Sequence, residues 1–172
     1  MKGKIPVPPR TNVSEVIWSW IGTFLGIMAV ACISYNVLDG TGYTMIIGSF
    51  GASAVLIYGA IKSPLAQPRN LIGGHILSAI VGVTSYNLFH DHMWLATSCA
   101  VATAVALMHL TRTLHPPGGA TALIAVIGGK TIHDLGYMYA LVPAGAGAAV
   151  MLIIALVVNN IPKTRSYPEY WL

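Results

Sequence analysis

Residues 114–123 read Leu-His-Pro-Pro-Gly-Gly-Ala-Thr-Ala-Leu, and most of that run has a chemical consequence. His115 can take up a proton near physiological pH. Pro116 and Pro117 break any helix that reaches them, because they lack the backbone N–H that a helix interior needs. Gly118 and Gly119 permit close backbone approach, and Thr121 adds a hydroxyl. A half-helix beginning at Gly119 would aim unpaired N–H groups and the positive end of its dipole at whatever lies before it, a receptor for a small anion. A related block occurs earlier. Gly51-Ala52-Ser53-Ala54-Val55-Leu56 matches Gly119-Ala120-Thr121-Ala122-Leu123-Ile124 at an offset of 68 residues. Two half-helices, with Ser53 and Thr121 just inside them, are therefore expected to converge on one anion. The expected binding set is Gly51, Ala52, Ser53, Gly118, Gly119, Ala120 and Thr121, with Ser49, His75, Arg112, His115, Pro116 and Pro117 as auxiliaries.

Other candidates are weaker. Arg112 reads either as a cation that concentrates anions at the pathway or as an anchor at the headgroups. His75, which follows Gly73-Gly74, and His109 read either as part of the pathway or as hydrogen-bonded structure. His90-Asp91-His92 has the look of a chelate, but it falls in a short turn and is read as a solvated loop. Cys32 and Cys99 lie inside apolar stretches without partners at zinc spacing and are read as small buried side chains. No metal, cofactor, catalytic residue or nucleic-acid partner is expected. Glu15, Asp39, Asp91, Asp134 and Glu169 all fall at span ends or in loops, leaving no carboxylate mid-membrane for a proton relay or a sodium site. Moving an anion inward against an inside-negative potential costs about 2.3 kcal/mol per 100 mV. Active uptake would therefore use a histidine or a protonated substrate; otherwise the pathway is passive.

The elements that must position these residues are membrane spans. Apolar residues make up 55% of the 172-residue chain and charged residues 8%, whereas a soluble domain carries about 25% charged residues. Four long apolar segments stand out, 16–38, 71–89, 93–110 and 136–158, each near the roughly 20 residues that cross a bilayer as a helix. The first is too long for a signal h-region of about 7–15 residues and reads as a retained span. Between them lie two broken segments, 43–61 and 111–129. The 68-residue offset maps the long spans onto one another as well, giving two units of long span, broken span and long span, at about 14–90 and 91–160. The expected fold is an all-α membrane domain with six crossings as two inverted three-segment repeats, segments 2 and 5 each being an extended piece followed by a half-helix. With both termini cytoplasmic, Lys2, Lys4, Arg10, Lys62, Arg69, Arg112, Lys163 and Arg165 share the inner side and Lys130 alone faces outward, as the positive-inside rule requires. Tyr170 and Trp171 in the tail read as an interfacial anchor. Small-residue surfaces on the spans allow a homo-oligomer.

The run from Leu114 to Leu123 resembles the signature of the HPP family of integral membrane proteins, named for its His-Pro-Pro. Gly48 to Val55, Ser63 to Asn70 and Gly73-Gly74-His75 are similar to the family's other blocks. The resemblance implies nitrite as the substrate and a role in nitrogen assimilation, since members in cyanobacteria and plant plastids are associated with nitrite transport. It also implies a bacterial plasma membrane or a plastid envelope as the location. The residues themselves leave nitrate, formate and chloride open, and the alternatives to a transporter are a passive channel, a membrane enzyme using His115 or the His90/His92 pair, and a non-transporting scaffold. Some members carry a soluble CBS region after the membrane part, and on the length of this chain that mode of regulation is not expected here.

Overall fold

A computed structural model describes residues 11–171; Lys2, Lys4 and Arg10 lie outside the described residues. The secondary structure is helical, with no strand among the described residues. Four helices are long and apolar enough to cross a membrane: α1 (Val13–Asn36), α3 (Pro68–Phe89), α4 (Met93–Leu110) and α6 (Ala140–Val158). Two shorter apolar helices, α2 (Ser49–Gly59) and α5 (Pro116–Ile127), fall in the two broken segments.

Both short helices begin earlier than expected. α5 starts at Pro116 rather than Gly119, because prolines fit the first helical turn, where an N–H would be unpaired in any case. α2 starts at Ser49 rather than Gly51, after residues 43–47, which carry no regular structure. The hydroxyls of Ser53 and Thr121 therefore lie more than one turn inside their helices. Helix α6 begins at Ala140 and breaks at once, with Val142 extended (φ −133°, ψ 116°) ahead of Pro143.

Helix α3 is the centre of the bundle, packed against α4, α5 and the start of α6, while α1 covers α6 and α2. Without water to drive helices together, membrane helices associate where small residues let them fit closely. α4 presents Ala96, Ala100, Ala104 and Met108, one buried face at a spacing of four. On α1 the matching row is Gly22, Gly26, Val30 and Ser34. Gly22 and Gly26 leave the space that the Tyr58 ring fills, and the Tyr58 hydroxyl donates to the Met151 carbonyl at 2.9 Å. Glycine matters most between α3 and α5. A Cβ on Gly74 would lie 2.6 Å from His115 Cβ, one on Gly118 would lie 2.7 Å from Ser78 Oγ, and one on Gly82 would lie 2.5 Å from the Ala122 carbonyl. Gly51 and Gly119 are different, with open space around the first and only an ordinary contact, 3.8 Å to Val101, beside the second.

One end of the bundle gathers the start of α1, the 59–67 loop and the tail. Buried Arg165 donates to Glu15 Oε2 at 2.9 Å, to Asn159 Oδ1 at 3.2 Å and to the Tyr58 carbonyl at 3.3 Å. It thereby satisfies a carbonyl left over at the end of α2. Tyr167 is buried, donating to the Ala66 carbonyl at 2.7 Å, and burial holds its phenol above the usual range. Tyr170 is 42% and Trp171 57% exposed, free to meet an interface. At the same end Arg69 donates to the Thr111 carbonyl at 2.8 Å. At the other end, residues 41–43 face Asp134, Leu135 and Met138 across a cleft, and Tyr86 stacks on His133. Both cysteines are free, and Cys32 is exposed rather than buried. The outward faces of these helices are themselves apolar, so apolar context alone does not imply an interior position.

Packing at α3–α5 should be intolerant of volume. Gly74→Val is expected to cost about 1–3 kcal/mol through overpacking, whereas Gly51→Ala should be neutral or stabilising by up to about 1 kcal/mol through helix propensity. Thermal unfolding of the two variants in detergent measures the difference.

Candidate functional site

The close contact of α3 with α5 brings two imidazoles together inside the bundle. His75, one residue after Gly74, and His115, one residue before α5, stand edge to face with ring centroids 5.1 Å apart, and neither is exposed at all. Between them sits Ser53 from α2, its Oγ 2.7 Å from His75 Nε2 and 2.9 Å from His115 Nε2. The far nitrogen of each ring is occupied too. His75 Nδ1 lies 2.7 Å from Thr121 Oγ1, and His115 Nδ1 lies 2.8 Å from the Leu65 carbonyl. Thr121 Oγ1 donates to Ser49 Oγ at 2.8 Å. Five side chains from three helices and the turn before α5 thus form one continuous hydrogen-bonded line that ends on a loop carbonyl.

The supports are local. Asn70 donates to the Leu114 carbonyl at 2.8 Å, tying the turn before α5 to the start of α3. Gln67 donates to the carbonyls of Ile61 and Ser63 at 3.0 and 2.8 Å, which shapes the loop that presents Leu65. The Phe50 ring meets His75 edge to face at 5.2 Å. Tyr139 from the turn before α6 is fully buried and donates to the Thr121 carbonyl at 3.1 Å. No buried side-chain polar atom among the described residues lacks a partner, as a low-dielectric interior demands.

The expected residues divide into three groups. Ser49, Ser53, His75, His115 and Thr121 meet in the buried line. Gly118 and Pro117 are buried in the wall behind it, Gly118 against Ser78 and Pro117 offering its carbonyl to the Thr121 hydroxyl at 3.3 Å. Gly51 and Ala52 lie on the exposed face of α2, and Pro116, Gly119 and Ala120 line an apolar groove on the outside of α4 and α5. Arg112 is exposed, in a left-handed turn with φ 57°, and it takes no part in the cluster. The first three positions of α5 offer no spare N–H group. Pro116 and Pro117 have none, and Gly118 N donates to the His115 carbonyl at 2.7 Å. The polar contacts at the centre are made by these side chains and the Leu65 carbonyl. Leu65, Gln67, Asn70 and Tyr139 were not expected. Only the polar Gln67 and Asn70, flanking Pro68 at the head of an apolar span, carried a signal.

Comparison with known proteins agrees with a membrane protein of this kind. A family model described as "HPP, transmembrane region" matches residues 8–168. Two proteins of Dictyostelium discoideum, each described as a transmembrane protein, are similar over almost the whole chain. One is 44% identical over 99% of this chain and 55% of its own length. The other is 47% identical over 98% of this chain and 60% of its own length. The chain thus spans a little over half the length of these curated relatives. No solved structure matches it.

Removing the shared hydroxyl should be costly. Ser53→Ala leaves both His75 Nε2 and His115 Nε2 without a partner, at about 1–3 kcal/mol for each stranded group. Ser98→Ala, which loses one exposed bond to the Trp94 carbonyl, should stay within about 0.5 kcal/mol of the parent. Parallel thermal melts of the two variants give the comparison.

Proposed function

This chain belongs to the HPP transmembrane family, and from that premise we propose that it carries a small monovalent anion, nitrite above others, through the buried hydroxyl–imidazole cluster. The observation that carries this reading is the placing of His75, with Ser53 on one ring nitrogen and Thr121 on the other. The 68-residue offset makes those two hydroxyl residues counterparts in the two halves of the chain. A site at the meeting point of equivalent broken segments is where transporters built of inverted repeats bind their substrate.

We read the architecture as six crossings. Shifted by 68, Ser49–Gly59 becomes residues 117–127 and nearly coincides with α5, and Pro68–Phe89 becomes 136–157 and overlaps α6. Further support comes from the ends. The contacts of Arg165 and Arg69 gather Glu15, Tyr58, Thr111 and the tail at one end, and the 41–43 loop meets Asp134 at the other. Lys62, Arg69, Arg112, Lys163 and Arg165 then share one side and Lys130 takes the other, which makes the Arg165 end cytoplasmic.

Nitrite suits the cluster by chemistry. It is planar and offers only acceptors, while Ser53, Thr121 and the rings of His75 and His115 offer hydroxyl and N–H donors. To enter, the anion would replace the bonds that Ser53 and Thr121 make to His75, leaving its acceptor atoms on the freed donors. Each exchange swaps one hydrogen bond for another, which favours passage over tight holding. The exposed small face of α2, with Gly51, Ala52 and Gly59, is where a second copy would pack.

The test is nitrite uptake by the purified chain in liposomes. Uptake should saturate, and nitrate, formate and chloride should compete more weakly than nitrite does with itself. Thr121→Val should raise the half-saturating nitrite concentration about tenfold, the equivalent of one lost hydrogen bond of about 1.4 kcal/mol. Uptake no faster than in protein-free vesicles would remove the proposal.

A further inference from the structure

The hydrogen-bonded line admits two self-consistent proton patterns, and they differ by one proton. A carbonyl only accepts, so His115 Nδ1, 2.8 Å from the Leu65 carbonyl, carries a hydrogen. If His115 is neutral, its Nε2 is an acceptor and takes the Ser53 hydroxyl hydrogen. Ser53 then accepts from His75 Nε2–H, and His75 Nδ1 accepts from Thr121. Every donor points toward Leu65. In the second pattern Thr121 donates to Ser49, the direction that the geometry of that pair has. His75 then donates from Nδ1 to Thr121 and accepts the Ser53 hydroxyl at Nε2. His115 must donate from Nε2 to Ser53 while keeping its hydrogen on Nδ1. That pattern places one extra proton in the line, on His115.

We propose that Ser49, Thr121, His75, Ser53 and His115 form a proton-conducting chain through the middle of the bundle, which makes the protein a proton-linked carrier. This rests on the anion reading above and adds its co-substrate. The steps balance as follows. A proton bonds to Ser49 Oγ, and the Ser49 hydrogen passes to Thr121. The Thr121 hydrogen passes to His75 Nδ1, the His75 Nε2 hydrogen to Ser53 Oγ, and the Ser53 hydrogen to His115 Nε2. His115 then releases its Nδ1 proton on the Leu65 side. One proton enters and one leaves, so each residue keeps its proton count; His75 and His115 are left as the opposite tautomers, and each must move a hydrogen back between its two ring nitrogens before the next passage. Each hop spans 2.7–2.9 Å between heavy atoms, within reach of direct transfer.

The surroundings suit transport of a proton rather than its capture. α2 faces the rings with Ser49, Phe50 and Ser53, α5 with Thr121, the turn before α6 with the Tyr139 phenol on the Thr121 carbonyl, and the 63–67 loop with the Leu65 carbonyl. No carboxylate hydrogen-bonds to either ring among the described residues, and Arg69 is turned to the Thr111 carbonyl instead. No fixed charge therefore holds the mobile one. The line is also directional, because the 68-residue offset carries His75 onto Pro143 and His115 onto Ile47. Neither imidazole has a counterpart in the other half.

The experiment uses the full chain in liposomes that contain a pH-sensitive dye, with nitrite assayed in the same vesicles and protein-free vesicles as the baseline. The expected result is lumen acidification in fixed ratio to nitrite uptake, slowed in D₂O. Ser53→Ala, which cuts the line between the rings, should reduce proton movement about a hundredfold, and Ser53→Thr, which restores a hydroxyl, should recover it. Nitrite uptake without acidification overturns the proton chain and leaves the anion reading standing. Acidification by an imposed pH gradient without nitrite uptake supports the chain and overturns the anion reading. Neither movement overturns both. Should Ser53→Ala not fold, the wild-type ratio and its D₂O dependence decide the question; a ratio that drifts with conditions, or a rate equal in both solvents, counts against the chain.

Discussion

One serine hydroxyl between two imidazoles holds the centre of this molecule together. Inside a bundle surrounded by lipid there is no water to satisfy a polar side chain, so each one present must find a protein partner. Ser53 can donate one hydrogen and accept others, and it serves His75 and His115 at once, at 2.7 and 2.9 Å. Its neighbours are constrained in turn. His115 reaches Ser53 only because Gly74 has no side chain where His115 Cβ lies, and α5 reaches α3 only because Gly118 leaves room for Ser78. The glycines are packing residues first, and the polar line is what that packing makes possible.

The outer contacts converge on the same place. The 63–67 loop presents the Leu65 carbonyl to His115, and that loop is held by Gln67 from within and by Tyr167 and Tyr170 from the tail, which donate to the carbonyls of Ala66 and Pro64. The tail is itself secured by Arg165, whose bonds to Glu15, Asn159 and the Tyr58 carbonyl join three parts of the chain. A guanidinium is suited to this because its planar fork supplies several donors in fixed directions. The site is thus braced on one side by helix packing and on the other by a loop and tail that carry no apolar pattern.

At the 68-residue offset the two halves of the chain match in part without being equivalent. Ser53 and Thr121 correspond at that offset, and both hydroxyls hydrogen-bond to His75. Shifted by 68, the bounds of one broken helix nearly coincide with those of the other, and residues 51–56 match 119–124 in type. The imidazoles break the match, since His75 answers to Pro143 at the kink of α6 and His115 answers to Ile47 just before α2. A pair of identical halves would present the same chemistry to both faces. This arrangement gives the central line a beginning at Ser49 and an end at Leu65.

Much of the architecture was legible in the order of residues alone. Apolar runs of span length located α1, α3, α4 and α6 within a few residues, because a helix must be apolar along its whole length to face lipid. The Gly-Ala-Ser and Gly-Ala-Thr blocks located the two short helices and the two hydroxyls, because proline and glycine limit what the backbone can do wherever it is placed. What residue order could not supply was direction. It did not distinguish Gly118, which touches Ser78, from Gly119, which faces outward, nor tell that Arg112 stays at the surface while Arg165 is buried. It named His75 and His115 only as auxiliaries, although they lie at the centre. Those assignments depend on the angle at which one helix meets another, 22 or more residues away in the chain. Only the closed bundle sets that angle, by requiring every buried donor and acceptor to meet.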